Sequence, residues 1–223
     1  MDILNFISWI AGKKRVVTSV PDNALIPVGI RTETRDDKYT TVVIKKSDLI
    51  SSGFKYEIGQ YVADKGGVIF HRYLEGGNEN YLVVALTDQS TSEAWSNINN
   101  VLIGSTAQSL WNGLSNSTAI VGQVGETSSA AALCLNYAVG PINDWYLPSI
   151  QEINKLWNNY LEVSKTLSQT TGATQLQPTY YWSSTEYSND SAWYFYFYYG
   201  EAANYLKSFA YYVRAIRKFS IPI

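Results

Sequence analysis

The feature that most constrains the fold is the segment at residues 192–199, which reads Ala-Trp-Tyr-Phe-Tyr-Phe-Tyr-Tyr. In a β-strand, successive side chains point to opposite faces, so this segment would separate most rings without a hydroxyl from phenols. A buried phenol needs a hydrogen-bond partner and a buried phenyl ring does not, so the phenyl side should point inward. The predicted inward set is Trp193, Phe195, Phe197 and Tyr199, and the predicted outward set is Tyr194, Tyr196 and Tyr198.

The flanking sequence indicates what an outward row of phenols does. Residues 180–219 hold 16 of the 32 aromatic residues of the chain, and the strand is bordered by short polar residues and glycine. Tyr provides large, rigid contact area at low entropic cost, and this combination is typical of protein binding surfaces. We predict a binding surface. The alternatives are packing against another subunit and burial in the core.

Charge and composition exclude several functions. With a net charge of −2, the protein lacks the positive field on which non-specific nucleic-acid binding depends. One Cys and one His exclude an intramolecular disulfide and zinc sites built from Cys and His. No segment approaches the roughly 20 apolar residues of a membrane span. At the N-terminus the positive charges follow the apolar run, so we do not expect a signal peptide.

The sequence does not predict an enzyme. Ser183 and Ser184 would need a base, and the single histidine, His71, belongs to a separate predicted hairpin. Glu186, Asp190 and Glu201 could offer oxygens to calcium, but their spacing matches no calcium loop, so solvated loop charge is the better interpretation. We therefore expect no catalytic residues, no metal and no cofactor.

Residues 1–12 predict a short amphipathic helix. A helix of about 11 residues is marginal alone in water, so its apolar face should dock on a partner protein, on its own domain or on a membrane surface. We favour a partner, and a bundle of copies would also bury the face, which suggests a trimer. The predicted anchoring residues are Ile3, Phe6, Ile7, Trp9 and Ile10.

Composition changes near residue 51. The first 50 residues carry 8 Lys and Arg against 6 Asp and Glu, and the remainder carries 9 against 13. Residues 16–20 and 39–44 predict strands, and Pro21, Pro27 and Gly29 interrupt the stretch between them. Residues 51–53 suit a flexible joint. We predict an N-terminal attachment segment at residues 1–50 and a larger domain at residues 54–223.

The larger domain should contain a hairpin and two helices. Residues 67–70 and 81–86 flank a turn, residues 127–137 predict a buried helix, and Ser149 and Glu152 form a capping box for a second helix.

Six motifs follow one another in the order of a known family: Gly66-Gly67-Val68-Ile69-Phe70, Asp88-Gln89-Ser90-Thr91, Asp144-Trp145-Tyr146-Leu147-Pro148-Ser149, Glu152-Ile153, Tyr181-Trp182-Ser183-Ser184-Thr185-Glu186 and Tyr212-Val213-Arg214-Ala215-Ile216-Arg217. Over roughly residues 61–219 the chain resembles a phage and bacterial group of C-type-lectin-like domains. That group is similar to receptor-binding proteins diversified by retroelements, and distantly to formylglycine-generating enzymes.

The resemblance implies an α+β fold, with two helices against short twisted antiparallel strands. It also implies binding to a host-surface glycan or protein through positions between the Trp-Ser-Ser motif and the final Val-Arg-Ala strand. By that mapping the candidate contacts are Tyr187, Asn189, Asp190, Tyr194, Tyr196, Tyr198, Glu201, Asn204 and Lys207.

Two departures from related proteins matter. Formylglycine generation relies on paired cysteines, and this chain has Cys134 alone. Calcium-dependent sugar lectins carry an acidic residue where this chain has Gln177-Pro178-Thr179, and a Trp-Asn-Asp motif where it has Trp182-Ser183-Ser184. We therefore expect neither formylglycine generation nor calcium-bridged sugar binding.

Residues 1–42 resemble the virion-attachment end of structural proteins from tailed phages of gut bacteria, including crAss-like phages. The resemblance implies a virion surface protein made in the host cytoplasm and attached to the capsid or tail through residues 1–50. It would be a head fibre, a decoration protein or a tail-associated adhesin. The alternative is a purely structural decoration protein whose tyrosines form subunit contacts.

Overall fold

A computed structural model of the chain describes residues 25–31, 39–45 and 54–223. The chain divides into two compact units, Met1–Lys55 and Tyr56–Ile223. Several predictions fall outside the described residues: the helix at residues 1–12 with Ile3, Phe6, Ile7, Trp9 and Ile10, the strand at residues 16–20 and the joint at residues 51–53.

The first unit contains a two-stranded antiparallel sheet. Strand β1 (Leu25–Arg31) pairs with β2 (Tyr39–Lys45), and β2 confirms the strand predicted at residues 39–44. The prediction that the stretch around Pro27 and Gly29 is irregular was wrong, because both lie within β1. Each strand of a two-stranded sheet has an open edge, and proline is tolerated on edge strands.

The second unit contains a four-stranded antiparallel sheet. Its strands, in the order β11-β5-β4-β3, are β3 (Tyr61–Val62), β4 (Gly67–Glu75), β5 (Asn78–Ala85) and β11 (Ile216–Pro222). The hairpin β4–β5 confirms the prediction. Its turn is tighter than expected because Gly76 and Gly77 adopt positive φ angles of 60° and 74°, which glycine reaches without strain.

A five-stranded sheet forms the other half of this unit. Its strands, in the order β6-β10-β7-β8-β9, are β6 (Ser90–Ala94), β7 (Tyr180–Glu186), β8 (Ser191–Tyr196), β9 (Glu201–Leu206) and β10 (Ala210–Val213). Strand β10 is parallel to β7, and the other neighbouring pairs are antiparallel. The aromatic segment predicted as a strand is therefore β8, with one sheet neighbour on each side.

Four α-helices lie among residues 54–223: α1 (Gly113–Val121), α2 (Ala130–Leu135), α3 (Ile150–Asn158) and α4 (Tyr160–Gln169). The predicted helix at residues 127–137 is present as the shorter α2. The predicted capping box is also confirmed, because the Ser149 side chain accepts from Glu152 N and the Glu152 side chain accepts from Ser149 N. The expectation of two helices was too low, but the α+β class holds.

One hydrophobic core joins both sheets to α3 and α4. Val68 and Phe70 of the four-stranded sheet share a buried cluster with Leu156 of α3 and with Tyr181 and Phe195 of the five-stranded sheet. Because these residues come from one face of each element, the opposite face of the five-stranded sheet is left for other contacts.

Glu152 links the start of its own helix α3 to the start of α1 and to Tyr146. Its carboxylate accepts hydrogen bonds from Gly113 N (3.0 Å) at the start of α1, Ser149 N (2.8 Å) at the start of α3 and the Tyr146 hydroxyl (2.9 Å). Burial raises the pKa of Glu152 above its ordinary value of 4.5, although the hydrogen bonds act in the opposite direction.

Replacing Glu152 with Gln should remove a pH-dependent loss of stability. A raised folded-state pKa means that the folded state binds the proton more tightly than the unfolded state. The contribution of this group to the free energy of unfolding is therefore fully present below pH 4.5 and is lost as the pH rises through the folded-state pKa. Glutamine can accept the two backbone N–H groups and donate to Tyr146. Urea denaturation at pH 4.5 to 7.5 should show a smaller decline for Glu152→Gln, and identical declines would refute the assignment.

Candidate binding site

Strand β8 places its rings largely as the sequence predicts. Phe195 and Phe197 are buried in the core, whereas Tyr194 and Tyr196 are half-buried and Tyr198 is 62% exposed. The prediction that Tyr199 points inward was wrong, because this residue is 63% exposed. The strand ends at Tyr196, so the period of two no longer holds at Tyr199.

Neighbouring strands extend this row of tyrosines across the sheet. Tyr180 of β7 lies opposite Tyr196, and Tyr205 of β9 and Tyr211 of β10 contribute further rings on the same side. Antiparallel partners directly opposite each other project to the same face, so the set covers four strands. We call this set the phenolic face: Tyr180, Tyr194, Tyr196, Tyr205 and Tyr211.

The rings of the phenolic face hold one another in place. The centroid of Tyr180 lies 4.3 Å from that of Tyr196, 5.3 Å from that of Tyr194 and 5.1 Å from that of Tyr211. Tyr211 also packs at 4.6 Å on the buried Trp182. Aromatic pairs at these separations are attractive beyond the area they bury. The rings are thus ordered before any ligand arrives, which lowers the entropic cost of binding.

The phenolic face carries no positive charge. Burial and the neighbouring phenols raise the pKa of Tyr211 to about 12. Burial, then Tyr180, Glu201 and Tyr205, raise the pKa of Tyr194. Tyr194 and Tyr211 therefore remain protonated at neutral pH, and their hydroxyls can both donate and accept hydrogen bonds.

Lys207, predicted as a ligand contact, is completely buried, so that prediction was wrong. Its ammonium donates to Glu186 Oε1 (2.7 Å), Asn189 O (2.9 Å) and Val101 O (3.1 Å) and lies 4.8 Å from the Trp95 ring centroid. A buried ammonium needs such partners to offset its lost hydration. The ion pair therefore stabilises the loops next to the candidate site and does not contact a ligand itself.

Glu186 is likewise buried, contrary to the expectation of a solvated loop charge. Its carboxylate accepts from Ile103 N (2.9 Å) and Gly104 N (2.8 Å) as well as from Lys207. One ion pair thus ties together the loop before α1, the turn between β7 and β8 and the end of β9.

The remaining predicted contacts lie in three different places. Glu201 lies opposite Tyr196, at the edge of the phenolic face. Tyr187 packs on Trp193 at 5.4 Å and Asn204 pairs with Trp193, so both lie on the other side of β8. The other two predicted contacts, Asn189 and Asp190, are exposed in the turn between β7 and β8.

Sequence reasoning missed four residues of this surface: Tyr180, Tyr205, Tyr211 and Glu93. Glu93 of β6 lies opposite Tyr211 and so projects to the phenolic face. The aromatic-rich window did contain the three tyrosines, but only the pairing of strands distant in sequence shows which of them join Tyr194 and Tyr196.

The described residues show no arrangement for covalent catalysis by Ser183 or Ser184. Both serines are buried, and the Ser183 hydroxyl donates to Trp193 O at 2.7 Å. His71 lines a separate cavity of about 440 Å³ with Trp111 and Lys155.

Among residues 25–31, 39–45 and 54–223, no three His, Cys, Asp or Glu side chains are grouped to hold a metal. No helix in the same ranges is long and apolar enough to cross a bilayer.

Comparison with known families identifies the domain that carries this surface. The family model of the Lcl C-terminal domain matches residues 84–217, a range that includes all four helices of the second unit and the whole phenolic face. No curated protein sequence gives a significant match.

Proposed function

The chain belongs to the Lcl C-terminal domain family, a C-type-lectin-like group of phage and bacterial receptor-binding proteins, and from this we propose that its second unit is an adhesin. The unit binds a glycan or protein on the host surface through the phenolic face. It performs no catalysis and needs no metal or cofactor. Family membership supports a receptor-binding function, and the arrangement of the tyrosines supports the phenolic face as the contact surface.

The observation that carries this proposal is the orientation of the aromatic side chains. Phe195 of β8 and Phe197 just beyond it pack in the core, while five tyrosines from four strands lie together on the opposite side of the sheet. Ordered, amphipathic and uncharged rings offer a large contact area at low entropic cost, as binding hot spots do. The alternative, a decoration protein that uses these rings between subunits, rests on the same exposure.

We further propose that the protein is displayed on a virion. Residues 1–50 attach it to a capsid or tail protein, as a trimer, and the second unit faces the host. The sequence pattern of residues 1–12, which predicts an apolar helix face, and the division of the chain into two compact units support this proposal. The two units then perform separate tasks, attachment and recognition.

Deleting residues 1–12 tests the attachment half of the proposal. The shortened protein should fold and bind host cells like the full chain, but should be missing from purified particles because the apolar face has been removed. Immunoblotting of particles and supernatant measures this. Full retention on particles would refute the attachment role of this segment.

Adsorption of the labelled full chain to host cells tests the recognition half. We expect saturable binding that an excess of unlabelled protein displaces. Binding that never saturates, or that is equal on cells of an unrelated bacterium, would refute recognition of a specific receptor. Analytical ultracentrifugation of the same sample tests the trimer, which a single-chain mass would exclude.

A further inference from the structure

We propose that the group recognised by the phenolic face is cationic, and specifically that the receptor presents lysine or arginine side chains of a surface protein to it. This inference rests on the proposed binding role of the same surface. It narrows the ligand from a glycan or protein to a basic protein segment.

The first support is the distribution of charge. The five strands of the sheet contain no Lys or Arg. Glu93 lies opposite Tyr211 and Glu201 lies opposite Tyr196, so the phenolic face has a carboxylate at each of two places along its border. Surfaces of one charge sign steer and select partners of the opposite sign.

The second support is the chemistry of the rings. An aromatic face is negative at its centre and attracts Lys and Arg, and guanidinium groups also stack on it. Raised phenol pKa values at Tyr194 and Tyr211 keep these rings neutral, so the attraction comes from the ring faces and from the two carboxylates. A neutral sugar could hydrogen-bond to the phenols and to Glu93 and Glu201, but it carries no positive charge for these carboxylates and the ring faces to attract.

The third support is the contrast with the rest of the unit. Lys155 and Lys218 line the cavity that contains His71 and Trp111, and Lys218 Nζ also lies 3.9 Å from Glu75 Oε2. The ammonium of Lys207, which directly follows β9, is buried and lies 2.7 Å from Glu186 Oε1. A basic partner at the phenolic face therefore meets no Lys or Arg on the five strands of the sheet.

Two matched peptides test the proposal with the full-length chain. The probe is Ac-Gly-Arg-Gly-Arg-Gly-amide, and its control carries citrulline, an uncharged isostere, in place of both arginines. Isothermal titration at low salt should give an affinity about tenfold higher for the arginine peptide. The double variant Glu93→Gln/Glu201→Gln should reduce that affinity about fivefold or more. Glu162→Gln, which removes an exposed carboxylate from α4, should leave it unchanged.

The proposal is overturned if neither peptide binds, if both bind equally, or if the double variant retains the wild-type affinity. Host-cell adsorption distinguishes a failure of the cationic-ligand proposal from a failure of the binding role. If the glutamine double variant adsorbs normally and replacing the tyrosines abolishes adsorption, the binding role stands and the cationic ligand does not.

Discussion

Replacing Lys207 with Met is expected to lower the free energy of unfolding by about 3–5 kcal/mol, because the change leaves a buried carboxylate without its cation. Both side chains of the Lys207–Glu186 pair are completely inaccessible to solvent. Methionine fills similar volume, so the loss comes from the unpaired charge and from the carbonyls of Val101 and Asn189, which also lose their donor.

Two further variants isolate this cause. Lys165→Met removes an exposed lysine from α4 and should change the free energy of unfolding by less than about 0.5 kcal/mol. Adding Glu186→Gln to Lys207→Met removes the unpaired charge and should recover part of the loss. Urea denaturation followed by tryptophan fluorescence measures all three. A loss below about 1 kcal/mol for Lys207→Met would show that the pair does not hold the loops together.

Replacing Tyr194, Tyr196 and Tyr198 together with Ala is expected to weaken host-cell binding by about a hundredfold or more. Clustered aromatic side chains at the centre of an interface carry most of the binding energy, and each truncation can cost 2 kcal/mol or more. The core rings Phe195 and Phe197 remain in place, so the variant should still fold. Adsorption isotherms measure binding, and circular dichroism checks the fold.

Tyr61→Ala provides the matched control for this variant. Tyr61 is exposed and lies on β3 in the four-stranded sheet, away from the phenolic face. It should adsorb like the unaltered protein. Unchanged adsorption by the triple tyrosine variant would reject the binding role and favour the structural alternative, in which these rings contact other subunits.

The parts of the fold that were predictable rest on local rules. The orientation of Phe195 and Tyr194 follows from the alternation of a single strand, and the start of α3 follows from the Ser149 and Glu152 capping box. Helix α1 escaped prediction because its residues are mostly small and polar and give no clear apolar stripe. Its beginning is held by the local cap Asn112, which accepts from Ser115 N, and by Glu152, 39 residues away from Gly113, which accepts from Gly113 N.

Only part of the candidate site could be predicted, because the rest depends on contacts between residues that are distant in sequence. Lys207 resembles any surface lysine in sequence, and its burial depends on Val101, which is 106 residues earlier in the chain. Tyr180 and Tyr211 join the surface through strand pairings that the sequence does not encode locally. Local alternation shows which way a side chain points, but non-local pairing decides which side chains become neighbours.

Hydroxyl-radical footprinting of the full chain, free and bound to host cells, tests the central claim most directly. Binding through the phenolic face predicts that oxidation of Tyr194, Tyr196 and Tyr205 falls on binding. Oxidation of the exposed Trp111, beside the separate cavity, should stay the same. Protection of Trp111 with unchanged oxidation of the three tyrosines would contradict the account and indicate recognition at the cavity that Trp111 lines.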